Sequence, residues 1–259
     1  MVSTMVHIMR DLPNRLSYDT SSLTWLVFGQ VPENMLADIR AIFPNASLKN
    51  SYGLTESCST VTTIDDAYQR RYPTSPGRVV PCLDLRIVDE NGNEVSRGEL
   101  GEVVVKGPKT MLGYWRNPLA TAEVLRDGWL YTGDIALTDD EGFIWIQDRL
   151  KDMIISGGEN IYPAEIENLL MKHPGIADGA IIGVPDPTWG ESVKAVVVLK
   201  PDAQLQEREL INWMRERMAH FKCPKSVDFV DAMPRNPTGK LLKRVLREPY
   251  WQGKQRAVN

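Results

Sequence analysis

A chain of 259 residues, 42% of them hydrophobic and 25% charged, has material for one large or two ordinary domains with real cores and is far from the disordered class. A formal net charge of −4 excludes a global electrostatic pull toward nucleic acid or an anionic membrane, although the last twenty residues are basic. Three cysteines, Cys58, Cys82 and Cys223, are odd in number and share no short metal-ligand or redox spacing, so reduced thiols in a cytoplasm fit best. No secretory-type segment opens the sequence, and no apolar run reaches the roughly 18 residues of a spanning helix. The expected location is the cytoplasm, with peripheral membrane association left open and no transmembrane segment.

The apolar run SLTWLVFG (22–29) predicts a strand. ENMLADIRAIF (33–43) places Met35, Leu36, Ile39, Ile42 and Phe43 on one helical face, and SLKNSYGLTE (47–56) returns to strand character. Together they predict a βαβ segment. From about Gly77 the texture changes to short alternating runs, with Leu83, Leu85 and Ile87 on one face, a turn at Asn91-Gly92, and the strands GEVVVKG and GFIWIQDR. The polar stretch DRLKD then separates two apolar runs, which puts a domain boundary there, dividing the chain into 1–148 and 149–259.

In the second part, PAEIENLLMKH (163–173) has a proline suited to a first helical turn, Ile166, Leu169 and Leu170 on one face, and a His-Pro-Gly stop. ADGAIIGVP and SVKAVVVLK are strand candidates, QERELINWMRERMAHF carries Leu210, Trp213, Met214, Arg217 and Met218 at helical spacing, and SVDFVD is a further strand. The expected fold class is thus α/β followed by a β-rich, barrel-like subdomain, then a small α+β domain built around one sheet.

Each chemical signal is weak alone. RNPTGK (235–240) looks like the end of a phosphate loop, but G-x-x-x-x-G-K-[ST] needs a glycine five positions before Gly239, and none is there. On residue types alone, Thr238-Gly239-Lys240 is more often a turn. YTGD contains an ordinary turn pair, and SGGEN reads as a hairpin tip as readily as a ligand contact.

Their order changes the reading. NSYGLTE (50–56), GELGEVVVKGP (98–108), GYWRNP (113–118), DGWLYTGDIA (127–136), DRLKDMIISGGENIYPAEIE (148–167) and PRNPTGKLLKR (234–244) together resemble the C-terminal half of adenylate-forming enzymes of the acyl-CoA synthetase, fatty-acid–CoA ligase type. The resemblance runs from about Ser21 to Arg247. It implies a two-step ligase: a carboxylate attacks the α-phosphorus of ATP to give acyl-AMP and pyrophosphate, and the thiol of CoA then displaces AMP. Both steps gather negative charge, so cations and hydrogen-bond donors aimed at that charge are needed.

By the same resemblance, Lys240 is the adenylation lysine bridging carboxylate and α-phosphate, Glu56 the acid that holds Mg²⁺, and Thr55 the α-phosphate hydroxyl. Tyr52 and Gly53 line the adenine pocket, and Asp134 and Arg149 meet the ribose. Lys151 falls at the hinge on which the C-terminal domain swings, and Gly158 lines the pantetheine tunnel. Bland alternatives stand beside these: a solvated lysine, a structural carboxylate, a core tyrosine, Asp134 and Arg149 paired with each other or with surface neighbours, and a tight turn at Gly158.

Two departures qualify the likeness. The family's Ser/Thr/Gly-rich phosphate loop ending in Pro-Lys-Gly does not occur in these 259 residues. If Met1 is the natural start, another polypeptide or an N-terminal half is expected to cover the large-domain face, and the chain by itself is expected to give no pyrophosphate exchange. FGQVP (28–32) stands where the family has Gly-Gly-Ala-Pro or close to it, so Gly29 and Gln30 are expected at the acyl pocket, with Gln30 in place of a small residue. The expected substrates are a fatty or similar apolar carboxylate, ATP and CoA. An aromatic acid is one alternative, a silent interaction module of the same fold another, and nucleic acid is the least favoured partner, since no binding fold accompanies the basic tail.

Overall fold

The computed structural model describes residues 3–29, 33–237, 239–254 and 256. The chain divides into two compact units, 1–146 and 147–259.

In the first unit, helix α1 (Ser3–Asp11) precedes strand β1 (Trp25–Phe28), helix α2 (Glu33–Ile42) and strand β2 (Ser47–Leu54). β1 and β2 pair in parallel, as a helical crossover requires, and β3 (Ser59–Thr63) and β4 (Arg78–Val79) extend the sheet in the order β1-β2-β3-β4, with α3 (Asp66–Arg71) between β3 and β4. The predicted apolar face of α2 packs as expected. Met35, Leu36 and Ile39 are buried with Phe28, Leu48 and Val6, each fully buried side chain stabilising by roughly 1.5–3 kcal/mol.

The β-rich part forms a second sheet, β5-β6-β8-β7 with β9 beside β8, from β5 (Asp84–Val88), β6 (Gly101–Lys106), β7 (Leu125–Arg126), β8 (Trp129–Thr138) and β9 (Ile144–Arg149). Helix α4 (Pro118–Val124) sits before β7, with Asn117 as its cap through Oδ1 accepting from Ala120 N–H at 3.2 Å. Alternate residues of this sheet face one core: Leu83 and Ile87, then Val103 and Val105, with Leu130 and Ala136.

The second unit is built on β12 (Ile176–Asp186) and β13 (Gly190–Leu199), a long antiparallel pair. β10 (Ile154–Ser156) and β14 (Ser226–Phe229) share the other edge of β13, and β11 (Glu159–Ile161) closes a hairpin with β10. Helices α5 (Pro163–Leu170) and α6 (Glu207–Arg215) cover one face, burying Ile166, Leu170, Leu210 and Met214 against Ile181, Val193, Ala195 and Val197. The C-terminal segment, including helix α7 (Lys243–Arg247), covers the other face through Leu241, Leu246 and Tyr250 against Ala180, Ile182, Val184 and Val196. Burial on both faces explains why these strands read as apolar runs without alternation.

Both helices end earlier than their spacing suggests. α5 stops at Leu170, three residues before His173, and α6 stops at Arg215, leaving Arg217 and Met218 in the turn that follows. A reciprocal cap starts α6, where Gln206 N–H donates to Glu209 Oε2 at 2.9 Å.

Candidate functional site

In the first unit the site is built at the end of β2. Strand β2 runs into a single 3-10 turn, Thr55–Ser57, held by the Ser57 hydroxyl, which donates to Leu54 O (2.9 Å) and accepts from Leu54 N–H (3.2 Å). The chain reverses through Cys58 and Ser59, both at positive φ (51° and 77°), a conformation costing on the order of 1 kcal/mol or more per non-glycine residue. Thr55 is thereby exposed and Glu56 half-buried.

Glu56 does not stand alone. Its carbonyl accepts Met111 N–H at 2.7 Å, and its Oε1 accepts the Tyr114 hydroxyl at 2.9 Å. Burial, and then the bond to Glu56, push the Tyr114 phenol above its ordinary range. Tyr114 belongs to the GYWRNP string, which gave no hint of this contact because its partner lies 58 positions upstream.

Tyr52 and Asp134 meet. The Tyr52 hydroxyl donates to Asp134 Oδ2 at 2.7 Å across 82 positions of sequence, and Asp134 is only 5% exposed. Asp134 is aimed there by a bulge in β8. Val104 pairs with Tyr131 and Glu102 with Ile135, so three residues, Thr132, Gly133 and Asp134, oppose Val103 alone. Gly133 takes φ +71°, Glu102 Oε1 accepts Gly133 N–H (2.8 Å), and Thr132 Oγ1 donates to Val103 O (2.8 Å) and accepts from Asp134 N–H (3.1 Å). Burial holds the Glu102 carboxyl above the usual range, against the pull of Gly133 N–H and Arg126. Glu102 and Thr132 are positioning residues that sequence reasoning missed. Gly53, next to Tyr52, faces the backbone of β3: a Cβ there would lie 1.7 Å from Ser59 O.

Gly29 follows β1, where a Cβ would meet nothing within 4 Å among the described residues, and Gln30 lies outside them. Among the described residues no group of three or more His, Cys, Asp or Glu could hold a metal ion by itself.

The second unit carries Arg149, Lys151, Gly158 and Lys240. Arg149 ends β9, half-buried, its N–H donating to Asp148 Oδ1 at 2.7 Å. Lys151 is exposed in the 3-10 turn Leu150–Asp152. Gly157 and Gly158 form the tip of the β10–β11 hairpin with φ +63° and +86°, the left-handed pair that a two-residue turn of this hand requires.

Lys240 sits in a closed hairpin. Arg235 bridges Leu241, Asn236 N–H donates to Lys240 O (2.9 Å), Gly239 N–H to Asn236 O (2.8 Å), and Lys240 N–H to Asn236 Oδ1 (2.8 Å). One side is tied to β12 and the other to α5. Arg235 donates to Gly239 O (2.9 Å) and pairs with Asp178 at 2.6 Å, while Lys243, three residues after Lys240, pairs with Glu167 Oε1 at 2.8 Å. Thr238 lies outside the described residues.

Burial raises the Glu167 carboxyl above the ordinary carboxylate range, opposed by Lys243 and the Ile181 N–H, and burial raises Asp148 likewise. A carboxyl raised on folding binds its proton more tightly folded than unfolded. Its contribution therefore favours folding below its folded pKa and is lost as pH rises from the ordinary carboxylate range through that value. In urea unfolding across that window, Glu167→Gln is expected to show a shallower fall of stability with rising pH than the parent chain; equal slopes would contradict the assignment.

Against known proteins, the AMP-binding enzyme profile matches residues 1–115, and that of the AMP-binding enzyme C-terminal domain matches 165–240. The chain belongs to the AMP-binding, adenylate-forming enzyme family. A feruloyl-CoA synthase of Amycolatopsis is 45% identical over 251 residues, 96% of this chain and 51% of that protein. The long-chain-fatty-acid–CoA ligase FadD13 of Mycobacterium tuberculosis is 41% identical over 250 residues, 96% of this chain and 49% of that protein. Among solved structures, the o-succinylbenzoate CoA synthetase of Bacillus subtilis in complex with ATP and a magnesium ion superposes with a TM-score of 0.81 at 33% identity, over 94% of this chain and 50% of that one.

The α/β and α+β architecture is that of adenylate-forming enzymes, as the sequence strings imply. The chain spans about half the length of the curated relatives it matches. These family members include ligases for an aromatic acid and for fatty acids, so the expectation of a fatty substrate is not singled out by kinship. No helix among the described residues is long and apolar enough to cross a membrane.

Proposed function

We propose that this chain supplies the C-terminal part of an ATP-dependent acyl-CoA synthetase acting on an apolar carboxylate, a fatty acid first, with an aromatic acid such as ferulate as the alternative that the 45% identity to a feruloyl-CoA synthase keeps in view. The observation that carries the reading is the meeting of Tyr52 and Asp134 in the same unit as Thr55 and Glu56. A tyrosine ring offers a face to adenine while its hydroxyl fixes a buried carboxylate that can accept from ribose hydroxyls.

In the first step a carboxylate oxygen bonds to the α-phosphorus as the bond to pyrophosphate breaks. Thr55 donates to an α-phosphate oxygen, and Lys240 lies between the attacking carboxylate and that phosphate. Arg149 donates to the ribose. Glu56 fits the part of a Mg²⁺ ligand: a single carboxylate, oriented by Tyr114, suits an ion that takes its other oxygens from nucleotide phosphates and water. When bound, the ion would offset charge on those phosphates. In the second step the CoA sulfur bonds to the acyl carbon and AMP leaves. We read Lys151 as the hinge between domains 1–148 and 149–259, and the backbone at Gly158 as part of the pantetheine path.

The test supplies the N-terminal half of the Amycolatopsis feruloyl-CoA synthase to this chain and follows carboxylate-dependent exchange of pyrophosphate into ATP with palmitate and with ferulate. Exchange with either acid supports the ligase reading and its rate ratio decides the acid class. Absence of exchange with both, in a complex shown to assemble, would overturn it in favour of a non-catalytic module. Asp134→Ala is expected to weaken AMP binding to that complex by about tenfold to a hundredfold, the value of losing charge-assisted hydrogen bonds, as read by calorimetry.

A further inference from the structure

Hydrogen bonds inside the Lys240 hairpin fix its shape, and bonds out of it fix its place. Leu242 N–H donates to Pro234 O at 2.9 Å and closes the stem. At the tip, both polar atoms of the peptide entering Lys240 are held: its N–H by Asn236 Oδ1 at 2.8 Å, and its carbonyl, Gly239 O, by Arg235 Nη1 at 2.9 Å. The peptide leaving Lys240 is held at its carbonyl by Asn236 N–H at 2.9 Å. A peptide unit is planar, so these bonds bound φ and ψ of Lys240, and with them the direction in which its side chain leaves the backbone.

That direction is referred to the sheet through Arg235. Its Nη2 pairs with Asp178 Oδ2 at 2.6 Å, 57 positions upstream on β12, where the register against β13 slips between Ile176 and Asp178. The other Asp178 oxygen accepts Gly179 N–H at 2.9 Å, which keeps the carboxylate turned. One guanidinium thus spans the hairpin tip and the strand, and a flat, rigid fork transmits an angle where a flexible ammonium would not. The two side chains are 40% and 31% exposed, so the ion pair contributes little to stability. Docking of the hairpin has other supports. Lys243 pairs with Glu167 Oε1, an oxygen that also accepts Ile181 N–H at 2.8 Å, and Leu241 packs against the cluster of Ala180, Ile182 and Val184. The hairpin therefore stays docked when Arg235 is replaced, and what is lost is aim.

We propose that Arg235 is a positioning residue for Lys240 and Asp178 its anchor: together they aim the lysine from β12. Their functional role rests on the reading of Lys240 as the adenylation lysine; the clamp itself does not. Misplacing a reacting group by about 1 Å costs on the order of 10²-fold in rate, so loosened aim on a docked hairpin is expected to cost about tenfold.

Double substitution separates positioning from folding. In the chain complemented with the N-terminal half of the feruloyl-CoA synthase, Arg235→Met and Asp178→Asn are each expected to lower kcat of adenylation by about tenfold. KM for ATP and acid, and thioester formation from preformed acyl adenylate, are expected to stay within a few-fold of the parent. Added to Lys240→Ala, either substitution is expected to cause no further loss, because no ammonium is left to aim. Parent-like adenylation in both single variants, or the same tenfold loss in the Lys240→Ala background, would overturn the proposal. Backbone amide relaxation on the uncomplemented chain reads the clamp. Order parameters at Gly239 and Lys240 are expected to fall from about 0.85 toward about 0.6 in Arg235→Met, with those of β12 and β13 unchanged. Unchanged values at both amides would overturn the clamp whatever the kinetics. If Arg235→Met disturbs β12 and β13 as well, Asp178→Asn, which keeps an acceptor for Gly179 N–H, takes its place and must show the same fall. Loss of order at the hairpin together with full adenylation by Lys240→Ala would overturn the reading of Lys240, and the functional role of the pair with it, while the clamp stands.

Discussion

Lys240→Ala is expected to lower carboxylate-dependent adenylation by about 10²–10³-fold in the complemented enzyme, while thioester formation from preformed acyl adenylate stays within a few-fold. The asymmetry follows from where charge develops. Adenylation builds negative charge between carboxylate and α-phosphate, where one cation in a dry site contributes on the order of 3–4 kcal/mol to the transition state. The second step expels AMP from the acyl carbon and has no such need. The hairpin itself survives the substitution, because Lys240 contributes its backbone N–H to Asn236 Oδ1 and its carbonyl to Asn236 N–H. Lys240→Arg is not expected to restore the rate, since a planar fork replaces a compact point charge. Both half-reactions falling together would mean a folding defect. A rate of adenylation within a few-fold of the parent would remove Lys240 from the chemistry.

How much of this was legible in the sequence depends on the range of the determining contact. Helix α2 and its flanking strands follow from local periodicity, and Met35, Leu36 and Ile39 pack where the spacing puts them. The apolar runs of β12 and β13 announce burial on both faces, but not that the Lys240-bearing segment covers one of them. Asp134 was visible as part of YTGD, whereas its orientation comes from a bulge fixed by the register of β6 against β8. Register depends on pairing across the sheet, so nothing local marked Glu102 and Thr132 as the supports of this bulge, although both lie in the strings that carry the resemblance. Glu167, Lys243, Asp178 and Arg235 each found a partner far along the chain, and their residue types alone read as ordinary solvated charge. The family resemblance proposes the site residues; only three-dimensional pairing reveals what holds them.

Gly53→Ala is expected to lose roughly 3 kcal/mol or more of stability in the first unit, near the upper end of overpacking penalties. The sequence reading gave Gly53 to a close approach by adenine, yet the nearest neighbour is the protein's own backbone. An added methyl would lie 1.7 Å from Ser59 O, 2.5 Å from Ser59 C and 3.0 Å from Thr60 Cα, none of which can rotate away as a side chain would. Relief requires β3 to move off β2 at the point where the register slips, Tyr52 facing Thr62 while Gly53 faces Thr60. That slip sets the approach to the left-handed turn at Cys58 and Ser59, and so the placement of Thr55 and Glu56. Thermal unfolding should show the loss, with AMP affinity of the complemented enzyme falling in parallel because Tyr52 is the next residue. Gly29→Ala is the control, since among the described residues a Cβ there meets nothing within 4 Å, and its melting point should stay near that of the parent. If Gly53→Ala melts with the control, the two strands yield more easily than their register implies, and the glycine is not what holds the end of β2 in place.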